Sequence, residues 1–227
     1  MIDLELQDVH VLVTALNYMA IIGASGGIGL ATAQLFLEQG AKVTAHYNTT
    51  SSTLEPLVSQ FGSSRIQVVQ ADLTSESSVT QLYISVIQTF GPVQVVVNNH
   101  GIWPTKDEPL ADMSLDRWKK TLDTNLTSSF LVARSWMSGL LDTGEDKKEK
   151  AAFVFIGSSA GKVGEANHAD YAASKSALIG LTLSLKNEIV KIAPRARVNI
   201  VSPGWVKTPM AEEALKDRMV VYRAMAT

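Results

Sequence analysis

The chain has 227 residues, 46% of them hydrophobic, and a net charge of −2. That is enough apolar material for a sizeable core, and it offers no basic face for nucleic acid or an anionic membrane. There is no Cys, and the four His are scattered, so disulfides and thiolate metal sites are excluded and no metal is expected. The apolar run 11–22 contains Thr14 and Asn17 and follows Asp3, Glu5 and Asp8. It is too short to cross a membrane and wrongly flanked for a secretory signal. The expectation is a soluble, cytoplasmic protein.

Short apolar runs alternate with longer amphipathic ones. Strands are predicted at 19–22, 42–46, 66–70, 93–97, 152–156 and 197–201, and helices near 28–38, 76–89, 115–137 and 171–191. Nearly all-apolar strands spaced by helices indicate an α/β fold, a parallel sheet covered on both faces. No linker or composition break divides the chain, so residues 1–227 read as a single domain. Residues 142–150 are charged and read as a surface loop.

The first turn is Gly23-Ala24-Ser25-Gly26-Gly27-Ile28-Gly29, with a strand-like run before it and a helix after it. In that order a glycine cluster makes a phosphate cradle: the glycines admit close backbone approach, and the helix N-terminus supplies N–H groups and the positive dipole end. The next strand runs out at His46-Tyr47-Asn48-Thr49-Thr50, and no acid stands between Ala41 and Ser52. A dinucleotide fold selective for NAD puts an acid here for the ribose 2′-hydroxyl, so NADP is favoured over NAD, with Tyr47 and Asn48 in the loop that would receive it. The plain alternative is a polar loop. The third strand ends Ala71-Asp72-Leu73 and the fourth Asn98-Asn99-His100-Gly101. Both ends face the crevice of a parallel sheet. Asp72 could equally be a helix N-cap, and the two Asn could be turn formers. His100 reads as a crevice-wall residue.

The stretch from Phe155 to Lys175 is the centre of interest. Tyr171 and Lys175 stand four apart, on one helical face with Leu178, Leu185 and Ile189. A Lys on an apolar stripe is either partly desolvated, and so a candidate for chemistry, or snorkels to water.

Taken together these residues resemble the short-chain dehydrogenase/reductase family, in its 3-oxoacyl-[acyl-carrier-protein] reductase-like form. The matching pieces are the Gly23–Gly29 turn, Asp72, Asn98 to Gly101, Asn125, Ser158, Tyr171 and Lys175, and Ser202-Pro203-Gly204-Trp205-Val206-Lys207-Thr208. The resemblance implies a Rossmann-type doubly wound sheet and hydride transfer between a nicotinamide cofactor and a carbonyl/alcohol pair. It implies Tyr171 as general acid or base and Lys175 as the group that lowers the phenol's pKa and holds the ribose. Ser158 would donate to the substrate oxygen, and Asn125 would hold a relay water. Gly23, Ser25, Gly27, Ile28, Gly29, Tyr47, Asn48, Asp72, Leu73, Asn99, Gly101, Pro203, Gly204, Val206 and Thr208 would contact the cofactor, with Tyr171 and Lys175. It also implies a homodimer or homotetramer.

Two departures stand out. Ile22, not Thr, precedes Gly23, and Val11-Leu12-Val13-Thr14 looks like a second copy of that strand end, as if residues 15–22 were inserted. The expectation is that 19–22 takes the central strand position and 8–14 becomes an edge strand or surface arm, making 1–17 an atypical N-terminal segment. At the other end, 209–227 reads as a shortened substrate-side tail without the family's last strand. These departures motivate the alternative reading, a catalytically impaired nucleotide-binding or interaction remnant of the same fold.

Overall fold

The computed structural model describes residues 5–14 and 27–206. Six strands form one sheet: β1 (His10–Thr14), β2 (Lys42–Tyr47), β3 (Ile66–Gln70), β4 (Val95–Asn98), β5 (Ala152–Ile156) and β6 (Arg197–Val201). Every pairing is parallel, and the order is β3-β2-β1-β4-β5-β6. The helices are α1 (Gly27–Glu38), α2 (Glu55–Phe61), α3 (Glu76–Phe90), α4 (Leu115–Leu122), α5 (Ser128–Leu141), α6 (Glu145–Lys148), α7 (Ala160–Val163) and α8 (Ala169–Ile189), with a π-helical turn, Asp123–Thr127, between α4 and α5.

Strand alternation builds two cores. Val11, Val13, Val43 and Val97 pack with Ala33 and Leu37 of α1 on one face. Leu12, Val96, Phe153 and Phe155 pack on the other, with residues of α3, α5 and α8. This is the doubly wound layering expected of strands that are apolar on both sides.

The order 3-2-1-4-5-6 reverses between β1 and β4, which opens a crevice at the carboxyl ends of those strands. Thr14, His46 and Asn98 lie level there, since Thr14 pairs with both of the others. Helix starts are capped locally: the Ser75 Oγ accepts from the Ser78 N–H at α3, and the Ser114 Oγ from the Arg117 N–H at α4.

One expectation is overturned. The central strand is β1, at 10–14, and it pairs with β2 on one side and β4 on the other. Residues 19–22 lie outside the described residues. The reason is two-sided burial: Val11 and Leu12 are each 0% exposed and point into opposite cores. A surface arm would leave both in water, and nearness in sequence to the glycine turn does not outweigh that loss. Residues 10–14 are therefore not part of a displaced N-terminal segment.

The predicted helix 115–137 also differs, being broken by the π turn at Asp123–Thr127 and ending at Leu141. Residues 142–150 are not wholly loop, since α6 occupies Glu145–Lys148. Among the described residues β6 is a sheet edge, and no helix there is long and apolar enough to cross a membrane.

Candidate active site

The ends of β1 and β4 are tied by a chain of hydrogen bonds through His100. Its Nδ1 lies 2.9 Å from the Thr14 Oγ1, and its Nε2 lies 2.7 Å from the Ser128 Oγ. Burial lowers the pKa of His100 well below the ordinary histidine value, with the charges of His46 and Lys175 adding to it, so the ring is neutral. Its tautomer follows from its neighbours. The Ser128 hydroxyl spends its only hydrogen on the Thr124 carbonyl, at 2.6 Å. Ser128 must then accept from Nε2–H, which leaves Nδ1 to accept from Thr14. Thr14 in turn accepts the Asn99 N–H at 3.1 Å. His100 is thus a wall residue that fixes the loop after β4 to the π turn. Asn98 donates to the Ser129 Oγ at 2.9 Å, while its Oδ1 is buried with no partner among the described residues.

The π turn carries Asn125, which is completely buried. Its Oδ1 accepts the Ile102 N–H at 2.7 Å, and its Nδ2 donates to the Ile102 carbonyl and to the Ser174 Oγ, each at 3.0 Å. Ser174 passes its own hydrogen to the Tyr171 carbonyl at 2.7 Å. Asn125 therefore couples the β4 loop to α8, a constraint that an ordinary helix-interior Asn would not supply. Gly101 lies against this junction. A Cβ there would stand 3.1 Å from the Asn125 Oδ1 and 3.3 Å from the Lys175 Nζ.

Lys175 is 5% exposed and donates to the Ile156 carbonyl at 2.9 Å. It does not snorkel. Burial pulls its pKa down from 10.5 to about 8. Tyr171 lies one turn earlier, and its ring centre is 5.9 Å from the Lys175 Nζ. Burial pushes the Tyr171 phenol above its ordinary value, and a hydrogen bond with Ser158 works against that push. The net shift is upward rather than the expected lowering, because burial outweighs the Ser158 hydrogen bond and the Glu165 charge adds to the rise. The phenol is therefore protonated at neutral pH, the form an acid needs. Ser158 sits two residues past β5, and its Oγ accepts the Ala160 N–H at 3.2 Å. Helix α7 then runs directly against α8, where a Cβ on Gly161 would come within 2.7 Å of the Lys175 carbonyl carbon. That contact holds Ser158 beside Tyr171.

Toward the other half of the crevice, Gly27, Ile28 and Gly29 form the start of α1, and Gly27 has a φ of 60°, where a side chain is disfavoured. Gly23, Ser25 and Thr208 lie outside the described residues. Tyr47 and Asn48 are half-buried at the end of β2, and the Asn48 carbonyl accepts from the Gln70 Nε2 at 2.9 Å. Asp72 does not cap α3; Ser75 does. Its Oδ1 instead accepts from the Thr74 N–H and hydroxyl, at 2.9 and 2.7 Å, and the residue stays exposed while Leu73 is buried. On the far side, the Pro203 carbonyl accepts the Ser159 N–H at 2.8 Å, which sets Gly204 and Val206 beside the Ser158 loop.

The model of the family "short chain dehydrogenase" matches residues 17–219. The chain belongs to that family. Among curated short-chain dehydrogenase relatives, it is 34% identical over 197 residues to the 3-oxoacyl-[acyl-carrier-protein] reductase of Vibrio cholerae, covering 87% of this chain and 76% of that one. The Synechocystis enzyme of the same name is 33% identical over 209 residues, 91% and 81% of the two chains. Among solved structures, a short-chain dehydrogenase/reductase from Brucella melitensis described as a glucose/ribitol dehydrogenase superposes with a TM-score of 0.80. It is 29% identical, and the match covers 96% of this chain and 81% of the other. The chain is thus a short-chain dehydrogenase oxidoreductase.

Sequence reasoning missed one set of residues in this short-chain dehydrogenase. Asp170, directly before Tyr171, is fully buried and paired with Arg117 of α4 at 3.0 Å. Arg117 places all its donors: on both Asp170 oxygens, the Lys106 carbonyl, the Glu108 carboxylate and the Asn167 carbonyl. Thr121 adds a 2.7 Å donor to Asp170. Desolvation raises the pKa of Asp170, but Arg117 and Thr121 outweigh it, so the carboxyl falls below the usual range and stays ionised. The sequence signal was an acid at the first turn of α8, and it reads equally well as a dipole or cap residue.

Proposed function

We propose that the chain is an NADP-preferring reductase that delivers a hydride to a carbonyl carbon, with Tyr171, Ser158, Lys175 and Asn125 as its working side chains. The observation that carries the reading is the convergence, at the carboxyl end of β5, of a protonated Tyr171, a Ser158 hydrogen-bonded to it, and a buried ammonium at Lys175. The residues present fit a nicotinamide cofactor. Lys175 spends one N–H on Ile156 and has others for ribose hydroxyls, Asn98 offers a buried acceptor, and the glycines of 23–29 suit a pyrophosphate.

A bound nicotinamide would supply the hydride. As negative charge develops on the substrate oxygen, Ser158 donates a hydrogen bond to it and Tyr171 gives up its proton. The phenolate left behind is stabilised by the Lys175 charge, which the low-dielectric surroundings strengthen. Asn125 holds the Ile102 loop and α8 in register while a water is held for the relay. The lack of an acid between Ala41 and Ser52 supports NADP, and the reductase names of the relatives support the carbonyl substrate. We take residues 1–227 as one domain, acting in the cytoplasm as a homodimer or homotetramer on a small-molecule substrate.

The test is NADPH oxidation across simple ketones and 3-oxoacyl thioesters, with calorimetric titration of NADPH alongside. Tyr171→Phe should cut turnover by roughly 10²–10⁴-fold, the usual worth of a placed general acid, and leave NADPH affinity within a few-fold. Turnover unchanged in that variant would refute the mechanism. Wild-type protein that neither binds NADPH nor turns over any ketone would favour the inactive-remnant reading.

A further inference from the structure

We infer that this site selects a flat, ring-bearing ketone over a saturated one of the same skeleton, and that Trp103 makes the choice. The inference deepens the reductase reading and rests on it. Trp103 comes from the loop after β4 and Trp205 from the loop after β6. Between those strands lies β5, whose end carries Ser158. Neighbouring strands are about 4.8 Å apart, so the two loops leave the sheet about 10 Å apart. The indoles close that gap, with ring centres 5.9 Å apart at 81°, edge to face. Behind Trp103, the ring of His168 stacks at 4.5 Å and 11°. His168 precedes Tyr171 by three residues, about 4.5 Å along the axis of α8. Ring contacts therefore run from Trp205 through Trp103 to the buried His168, at the turn that presents the phenol, and the two half-buried indoles are the exposed part of that run.

Trp103 is held on both sides in sequence. Asn125 clamps both backbone groups of Ile102, and the Pro104 carbonyl lies 2.7 Å from the His168 Nε2. Farther on, Arg117 grips the Lys106 carbonyl and the Glu108 carboxylate, and the Glu108 N–H reaches the Asn167 carbonyl at 3.2 Å. The loop is prearranged, yet Trp103 and Trp205 are only half-buried. A substrate oxygen bound at Tyr171 and Ser158 places its substituents alongside these rings. A flat π-system meets them in edge or offset geometry and has no rotors to freeze, whereas a saturated ring has no quadrupole to match and a flexible chain loses freedom.

The experiment compares 2-tetralone with trans-2-decalone, which share a bicyclic skeleton and an unconjugated ketone and differ in one aromatic ring. Wild-type protein should favour 2-tetralone by about tenfold in kcat/KM and in calorimetric affinity measured in the presence of NADPH. Trp103→Leu should bring the two ketones to within about twofold of each other, and Trp103→Phe should restore most of the preference. Thermal melts report whether each variant is folded. Equal handling of the two ketones by wild type, or a preference that survives in Trp103→Leu, overturns the inference while leaving the reductase reading standing. Preferential binding of 2-tetralone without turnover of either ketone supports the inference and counts against the reductase reading instead.

Discussion

Replacing Lys175 with Met should reveal the cost of keeping a charge in the site. The folded-state pKa of Lys175 is about 8, against 10.5 unperturbed. The 2.5-unit difference corresponds to about 3 kcal/mol of disfavoured charge near pH 7, and at 5% exposure solvent screens little of it. The sign follows from the protons bound. Between about pH 8 and 10.5 the unfolded chain still carries a proton that the folded chain has lost, so wild-type stability rises with pH across that window. Met removes this term, but it also strips the donor from the Ile156 carbonyl, which costs roughly 1–3 kcal/mol at any pH. Near pH 7 the two effects nearly offset. Above pH 10 only the lost donor remains, and the variant should be the less stable. Urea unfolding of both proteins without cofactor, at pH 7, 8.5 and 10.5, measures the gap directly. It should shift by about 3 kcal/mol in favour of wild type across the series. A gap independent of pH would refute the buried-ammonium account. The same variant should have lost turnover.

Other changes test the supports around the site. Gly161→Ala puts a Cβ at 2.7 Å and 2.9 Å from backbone atoms of Lys175 and Ser176, so α7 must move off α8. Overpacking of this kind costs about 1–3 kcal/mol, seen as a lowered Tm, with turnover falling because Ser158 moves with α7. Asp170→Asn leaves the half-hidden Arg117 guanidinium without its buried counter-charge, and should lose roughly 3 kcal/mol in urea unfolding. His10 is buried with a folded pKa of about 4. As a base with a lowered pKa it contributes full stability above about pH 6.5 and loses about 3 kcal/mol as pH falls from there to 4, a slope that His10→Gln should lack.

The parallel sheet was legible in the sequence because each strand is apolar on both sides. For the same reason the position of the first strand was not. Residues 10–14 and 19–22 carry the same local signal, and only the second adjoins the glycine turn. The family match, beginning at residue 17, also leaves out the strand that pairs with β2 and β4. Two-sided burial of Val11 and Leu12 is a tertiary quantity that no local window contains. Lys175 was legible as an oddity on an apolar face, and the structure resolves its two readings in favour of burial. The direction in which Tyr171 shifts was not legible, since it is set by how far the folded chain buries the phenol. Arg117 and Asp170 meet across 53 residues, and their pairing leaves no periodic trace.

The two ends of the sheet differ in how their buried polar groups are matched. At the amino end His10 reaches the Gly91 carbonyl and the Thr44 hydroxyl, each at 2.9 Å. Beside it, the Gln94 side chain takes the His10 N–H and gives its own to the Lys147 carbonyl. These groups satisfy one another and ask for nothing further. At the carboxyl end Lys175 keeps a charge whose pKa is lowered by burial alone, and the Asn98 Oδ1 is buried without a partner among the described residues. Lys175 lies where Asn125, Gly101 and the α8 helix converge. A fold gains nothing from unmatched groups of this kind, and each costs stability that an all-apolar arrangement would keep. With the His100 wire and the Arg117 fork matched around Lys175, the groups that hold the site are separate from the ammonium left to act in it.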